Sequence, residues 1–151
     1  MNLSKNVKVT PVLGYYAAAQ TTRKATTIID MAGYEGCLFI YNFGTLLETG
    51  VISALVYGDA ANGTGSMVQL LGQTTYTVTA TAATYNPSCI LVDVYQPDPV
   101  LHRYLEAQIQ ISNAANVLIL GIVAVQYTGK IHPDTNPATV LKSTFLRSVL
   151  E

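Results

Sequence analysis

SCILVDVYQPDPVLHRYLEAQIQI, residues 88–111, is the stretch that decides the fold. Cys89 to Tyr95 is a β-branched and aromatic run, too short for an ordinary helix and closed by Pro97 and Pro99, which makes it a largely buried strand. Neither proline can donate a ladder hydrogen bond, and each holds the residue before it, Gln96 and Asp98, in extended geometry. The chain must turn there. Leu105, Ala107, Ile109 and Ile111 then alternate with Tyr104, Glu106, Gln108 and Gln110, the period of a strand with one packed and one wet face. The whole stretch is expected to form a hairpin in the middle of an all-β sandwich.

Working outward, the same pattern recurs. Thr26–Asp30, Cys37–Phe43, Val51–Tyr57, Met67–Leu71, Thr74–Thr79 and Val117–Thr128 are further strand candidates, and no segment among them has a strong helical period. Cys37, Phe39, Tyr41 and Phe43 fall on one face of their strand and Leu38, Ile40 and Asn42 on the other, so both faces are mostly apolar. In the last strand Ile119, Val123 and Val125 are set against Leu118, Leu120 and Ile122, with Gly121 marking a bulge or close approach. About eight strands without helices predict an antiparallel jelly-roll sandwich. Residues 26–130 are expected to form it, residues 1–25 an extended N-terminal arm interrupted by Pro11 and Gly14, and residues 131–151 a C-terminal tail. Val140, Leu141, Phe145, Leu146, Val149 and Leu150 recur three to five residues apart, which is compatible with an amphipathic helix begun near Thr139 or with an extended arm. Apolar residues on such a tail need a surface to cover, and a partner is the favoured one because the domain looks complete without it.

Composition narrows the function. The 151 residues suit one domain that can bury a core without disulfides or metal. Only 11% are charged, against roughly 25% in a usual soluble domain. Together with ten Tyr and no Trp, this points to a surface partly covered by other subunits; a neutral, Thr-rich β-domain is the plainer alternative. The net charge of −1, with no block of like charge, argues against a nucleic-acid partner. The most apolar run, Val117–Val125, is too short for a membrane helix, and the N-terminus has no apolar core of an export signal. Cys37 and Cys89 lack metal-ligand spacing and are expected as reduced, buried thiols, with a disulfide between them as the alternative.

No catalytic, cofactor or metal site can be assembled from the sequence. His102 and His132 are the only histidines, one beside Arg103 at the start of a strand and the other in a turn-rich linker. The Gly58–Ser66 loop lacks the Gly-Lys-Ser/Thr ending of a phosphate-binding loop and the bidentate glutamate of a calcium loop. Asp93, within an apolar run, is expected to pair with Arg103 across the hairpin rather than to act as a base.

Four stretches resemble one family. They are Ile29–Phe39 (IDMAGYEGCLF), the Gly/Asn loop near Gly63, Leu91–Pro97 (LVDVYQP) with Arg103-Tyr104, and Gly121–Tyr127 (GIVAVQY). Over roughly residues 26–130 the chain resembles the jelly-roll cement or decoration proteins of tailed-phage capsids. That resemblance implies a virion protein on the outer surface of the capsid, made in the bacterial host cytoplasm. It also implies a homotrimer that binds the major capsid protein and stabilises the shell, with no cofactor, no direct nucleic acid and no membrane. Tyr15 and Tyr16 in the arm, Tyr95, Arg103 and Tyr104 around the proline turn, and Leu141, Phe145 and Leu146 in the tail are the candidate contact residues. A host-surface or carbohydrate-binding head or tail-fibre component, using the Gly58–Ser66 loop and exposed tyrosines, is the alternative.

Overall fold

In a computed structural model the described residues are 7–17, 22–46, 49–63, 65–70, 74–78, 87–112, 117–128 and 140–147. They form eleven strands: β1 (Val7–Leu13), β2 (Thr22–Lys24), β3 (Ile29–Asp30), β4 (Gly36–Leu46), β5 (Val51–Asp59), β6 (Val68–Gln69), β7 (Thr74–Thr77), β8 (Ser88–Tyr95), β9 (Tyr104–Ser112), β10 (Val117–Tyr127) and β11 (Val140–Arg147). One sheet runs β1-β10-β4-β8-β11; the other runs β2-β9-β5-β6, with β3 also on β9 and β7 also on β5.

β2 and β3 share one edge of β9, and β6 and β7 share one edge of β5, so each pair fills a single strand position. Apart from β11, eight positions remain. Numbered along the chain, they stand in the orders 1-8-3-6 and 2-7-4-5. These are the two four-stranded sheets of a jelly roll, in which successive strands repeatedly change sheet.

That topology corrects the expected hairpin. β8 pairs with β4 and β11, whereas β9 pairs with β5, β2 and β3. The Pro97-Asp98-Pro99 turn therefore carries the chain from one sheet to the other. Gln96, expected to be extended before Pro97, instead takes a positive φ of 48° and donates its backbone N–H to Glu35 O at 2.7 Å. Asp98 Oδ1 accepts from Val100 N at 2.7 Å and Leu101 N at 3.0 Å, so the corner is pinned from within. Prolines that end a strand signal a turn, but they do not say which sheet the chain enters next.

The core lies between the sheets. Cys37, Phe39, Tyr41 and Phe43 of β4, with Ile90, Val92 and Val94 of β8, face Ile52, Ala54 and Val56 of β5 and Leu105, Ala107, Ile109 and Ile111 of β9, and all are buried. The Tyr41 hydroxyl donates to Leu55 O at 2.6 Å, tying one sheet to the other, and burial raises its pKa well above the ordinary value. In β10 the bulge expected at Gly121 is present: the register shifts there, φ is +149°, and a Cβ would stand 2.8 Å from Leu13 O. One extra residue reverses the alternation. Ile119, Ile122 and Ala124 point inward, while Val123 and Val125 join Leu118 and Leu120 on the outer side, which corrects the two expected sets.

Both chain ends depart from expectation. Val7–Leu13, read as part of an arm, is β1, antiparallel to β10. Pro11 is tolerated because β1 is an edge strand, where a missing N–H breaks no ladder. In the tail the helix reading gives way to β11, which lies parallel to β8. The three-to-five spacing of its apolar residues fits an extended segment equally well. His132 and the linker around it fall outside the described residues.

Candidate functional site

Three surfaces bear on function: the corner at the Pro97 end, the opposite end near Tyr15 and Tyr16, and the outer faces of the two sheets.

At the corner, Arg103 does not pair with Asp93. Its guanidinium makes a two-pronged ion pair with Asp30, Nε to Oδ1 at 2.9 Å and Nη2 to Oδ2 at 2.9 Å. This holds the Asp30 carboxyl down at about 2. Arg103 also lies 5.1 Å over the ring of Tyr104. The correction follows from the topology, since β9 meets β3, not β8, at this end. Asp93 instead accepts the Tyr127 hydroxyl at 2.6 Å, and that ring lies over Gly36, where a Cβ would be 2.3 Å from Cζ. Burial and the Asp93 carboxylate push the Tyr127 phenol up. Tyr95 is buried, so of the three candidates around the turn only Arg103 and Tyr104 reach the surface. A cleft of about 330 Å³ lies between the Met31–Tyr34 turn and the corner. His102 packs against Gly58 beside it. Val100 and Leu101, exposed by 73% and 51%, form the tip of the pinned turn.

Tyr15 and Tyr16 sit at the other end of the sandwich. Tyr15 is 64% exposed. Tyr16 bridges to Ile119 through backbone hydrogen bonds of 3.0 and 3.2 Å, and Arg23 lies 4.2 Å over its ring. The candidates therefore do not form one cluster. Leu141, Phe145 and Leu146 have their backbone in β11, and their side chains lie outside the described residues.

The outer face of the first sheet was singled out only in part by the sequence. Strand pairing sets Val9, Val125, Leu38 and Asp93 in one row across four strands, and Pro11, Val123, Ile40 and Leu91 in the next. Leu118 and Leu120 extend the patch and pack over Gly44. None of these aliphatic side chains is buried, and Val9 and Leu120 are 59% and 46% exposed. Asp93 is the one ionisable group in those two rows, and Tyr127 holds it. The outer face of the second sheet is different: Thr75, Ser53, Gln110 and Thr22 form one row, and Gln69, Tyr57 and Glu106 another, with Val51 and Leu55 its main aliphatic members. Glu106 is buried there with one carboxylate oxygen lacking a hydrogen-bond partner. Burial raises its pKa, against the pull of Lys24.

The remaining motifs carry no assembled chemistry. Cys37 faces the core and Cys89 is half-buried on the outer side of β8; both thiols are free, and burial raises the pKa of each. Paired positions put Cys37 opposite Val94 and Cys89 opposite Asn42, too far apart along the strands for a bridge. In the Gly58–Ser66 loop, Asp59 is occupied internally by the Ser66 hydroxyl and the Ala61 N–H. Among the described residues no three His, Cys, Asp or Glu side chains come together as metal ligands, and no helix is long and apolar enough to cross a membrane.

Comparison with known proteins adds little. No family profile matches the chain, and no curated protein does. A solved structure titled "Structure of infectious bursal disease virus Gx strain" is similar to it with a TM-score of 0.42 and 14% identity, over 84% of this chain and 34% of that one.

Proposed function

We propose that this is a virion structural protein, a capsid cement or decoration protein that binds the outer head surface and stabilises the shell of the major capsid protein as a homotrimer. The aliphatic outer face of the β1-β10-β4-β8 sheet carries this reading. A free domain of this topology keeps one face of each sheet for the core and leaves the other polar. Here the outer face of the second sheet is mostly polar, with Leu55, Glu106 and Gln108 buried at its centre, whereas that of the first is aliphatic. A surface of Leu, Ile and Val with one carboxylate, itself hydrogen-bonded by Tyr127, is built to be covered.

Its size favours a repeated partner. Four strands at about 4.8 Å spacing and two rows about 6.6 Å apart give roughly 250 Å², which Leu118 and Leu120 extend. A stable two-body interface takes about 800 Å² from each partner. One such patch binds weakly by itself, but many copies on a shell that presents the same site repeatedly gain avidity. The low charge of the chain agrees with that role. Arg103 and Tyr104 at the corner and Tyr15 at the far end are proposed as flanking contacts with sister copies.

The test is addition of purified protein to heads that lack it. Co-sedimentation with heads and a raised temperature of head rupture are expected. Protein that stays in the supernatant and leaves rupture unchanged contradicts the reading.

A further inference from the structure

The eight positions of the roll are filled by the end of β10 at Tyr127, and β11 is an additional strand on the outer edge of β8. That edge needs a partner. β8 carries Ile90, Val92 and Val94 inward and Cys89 and Leu91 outward, with Asp93 as its one charge and no proline. Left open, it is a template for unspecific pairing. The opposite edge of the same sheet, β1, carries Lys8 and Pro11, both of which discourage such pairing. β11 closes the β8 edge from Val140 opposite Cys89 to Arg147 opposite Tyr95.

The direction of β11 is the informative part. β10 and β8 are each antiparallel to β4, and β11 is parallel to β8, so β10 and β11 point the same way in one sheet. β10 ends at Tyr127 in the row of Gly36, and β11 begins at Val140 in the row of Cys89 and Asn42, at the other end of the strands. A connection within one copy has to go back about 20 Å along the strands and about 14 Å across three strand spacings. The twelve residues 128–139 span up to about 40 Å. That reach also admits the β8 edge of an adjacent copy, where the backbone pairing would be identical.

We propose that β11 is exchanged between copies: Val140–Arg147 of one chain pairs with β8 of the next, and the chains close head to tail into a ring. Exchange of an identical element costs little because the bonds are the same as those made within one chain. In such a ring the β8 edge of every copy is covered, and copies are joined without new interface chemistry. The inference concerns the protein alone and stands independently of what the aliphatic face binds.

The register supplies the test. A cysteine at position 140 comes opposite Cys89, at the separation of paired strands and within the range a disulfide bridges. The full-length Val140→Cys protein is oxidised in dilute solution and run on a denaturing gel without reductant. Circular dichroism of the unoxidised variant, matching the wild type, shows that it folds. Covalent species at two and three times the chain mass are expected, and the further change Cys89→Ser should return them to single chains. A single-chain band that has lost both thiols to an internal disulfide overturns the proposal. Failure to form any disulfide in the folded variant overturns it as well, because β11 would then lie on the β8 edge of no copy.

Discussion

The two sheets have inner faces of the same kind and outer faces of opposite kinds. On the β5-β9 sheet the outer rows are Thr, Ser, Gln, Tyr and Glu around Val51 and Leu55, whereas on the β10-β4-β8 sheet they are Val, Leu and Ile around one tyrosine-bound aspartate. Since both sheets belong to one sandwich and bury comparable inner residues, folding alone does not account for the difference. Stability requires only that the inner faces be apolar. On the proposed reading, the apolar outer face answers a demand from outside the chain and makes the first sheet the contact side.

The largest expected effect breaks this asymmetry directly. Leu38→Lys with Ile40→Lys places two charges on the aliphatic face without touching the core, and head binding should weaken by about 100-fold or more, the usual scale for unpaired charge buried in an interface. The matched change on the other sheet, Ser53→Lys, should leave binding within about 2-fold, as surface changes usually do. Co-sedimentation with heads and circular dichroism of the free variants measure both. Equal losses from the two sheets would remove the distinction between them.

Gly121→Ala comes next. Its φ of +149° and the 2.8 Å approach of Leu13 O leave no room for a Cβ, and urea unfolding should show a loss of about 1–3 kcal/mol. The bulge also turns Val123 and Val125 outward, so this variant should bind heads less well in proportion to its distortion of the face. A smaller effect of opposite sign is expected on the polar sheet. Glu106 is buried with its pKa raised, so the native state favours its protonated form and its contribution to stability falls as pH rises through that raised value. Glu106→Gln should therefore raise the melting temperature at pH 7 and leave it nearly unchanged at pH 3, with head binding unaltered.

The smallest effect belongs to the corner. Asp30 titrates at about 2 in the folded protein against an ordinary 3.8, so the stability it draws from Arg103 is fully present above the ordinary value and is lost as pH falls through about 2. The pair is about half exposed and screened. Arg103→Ala should lower the urea midpoint only slightly at pH 7, and the difference from wild type should shrink between pH 4 and pH 2.

Much of the sandwich was legible in the sequence because strand periodicity is local. The strand at Tyr104–Ile111 appears in the structure, but Glu106 and Gln108 on its expected wet face are buried; the doubly apolar Cys37–Phe43 also appears, with Leu38 and Ile40 on the outer face. Pairing is not local. Nothing in Pro97-Asp98-Pro99 distinguishes a hairpin from a change of sheet, and once that turn was misassigned Asp93 acquired the wrong partner. Val123 and Val125 were hidden by the Gly121 bulge, which was recognised without the reversal of faces it causes. At the tail, spacing of three to five between Val140 and Leu150 fits a helix and a strand alike, and only the free edge of β8 decides between them.

A density map of the intact virion at side-chain resolution tests the central claim most directly. The account predicts this chain on the outer head surface with Leu38, Ile40, Leu91 and Val125 covered by protein and with Ser53, Thr75 and Gln110 facing solvent. The reverse orientation, or an aliphatic face open to water in the assembled particle, would contradict it.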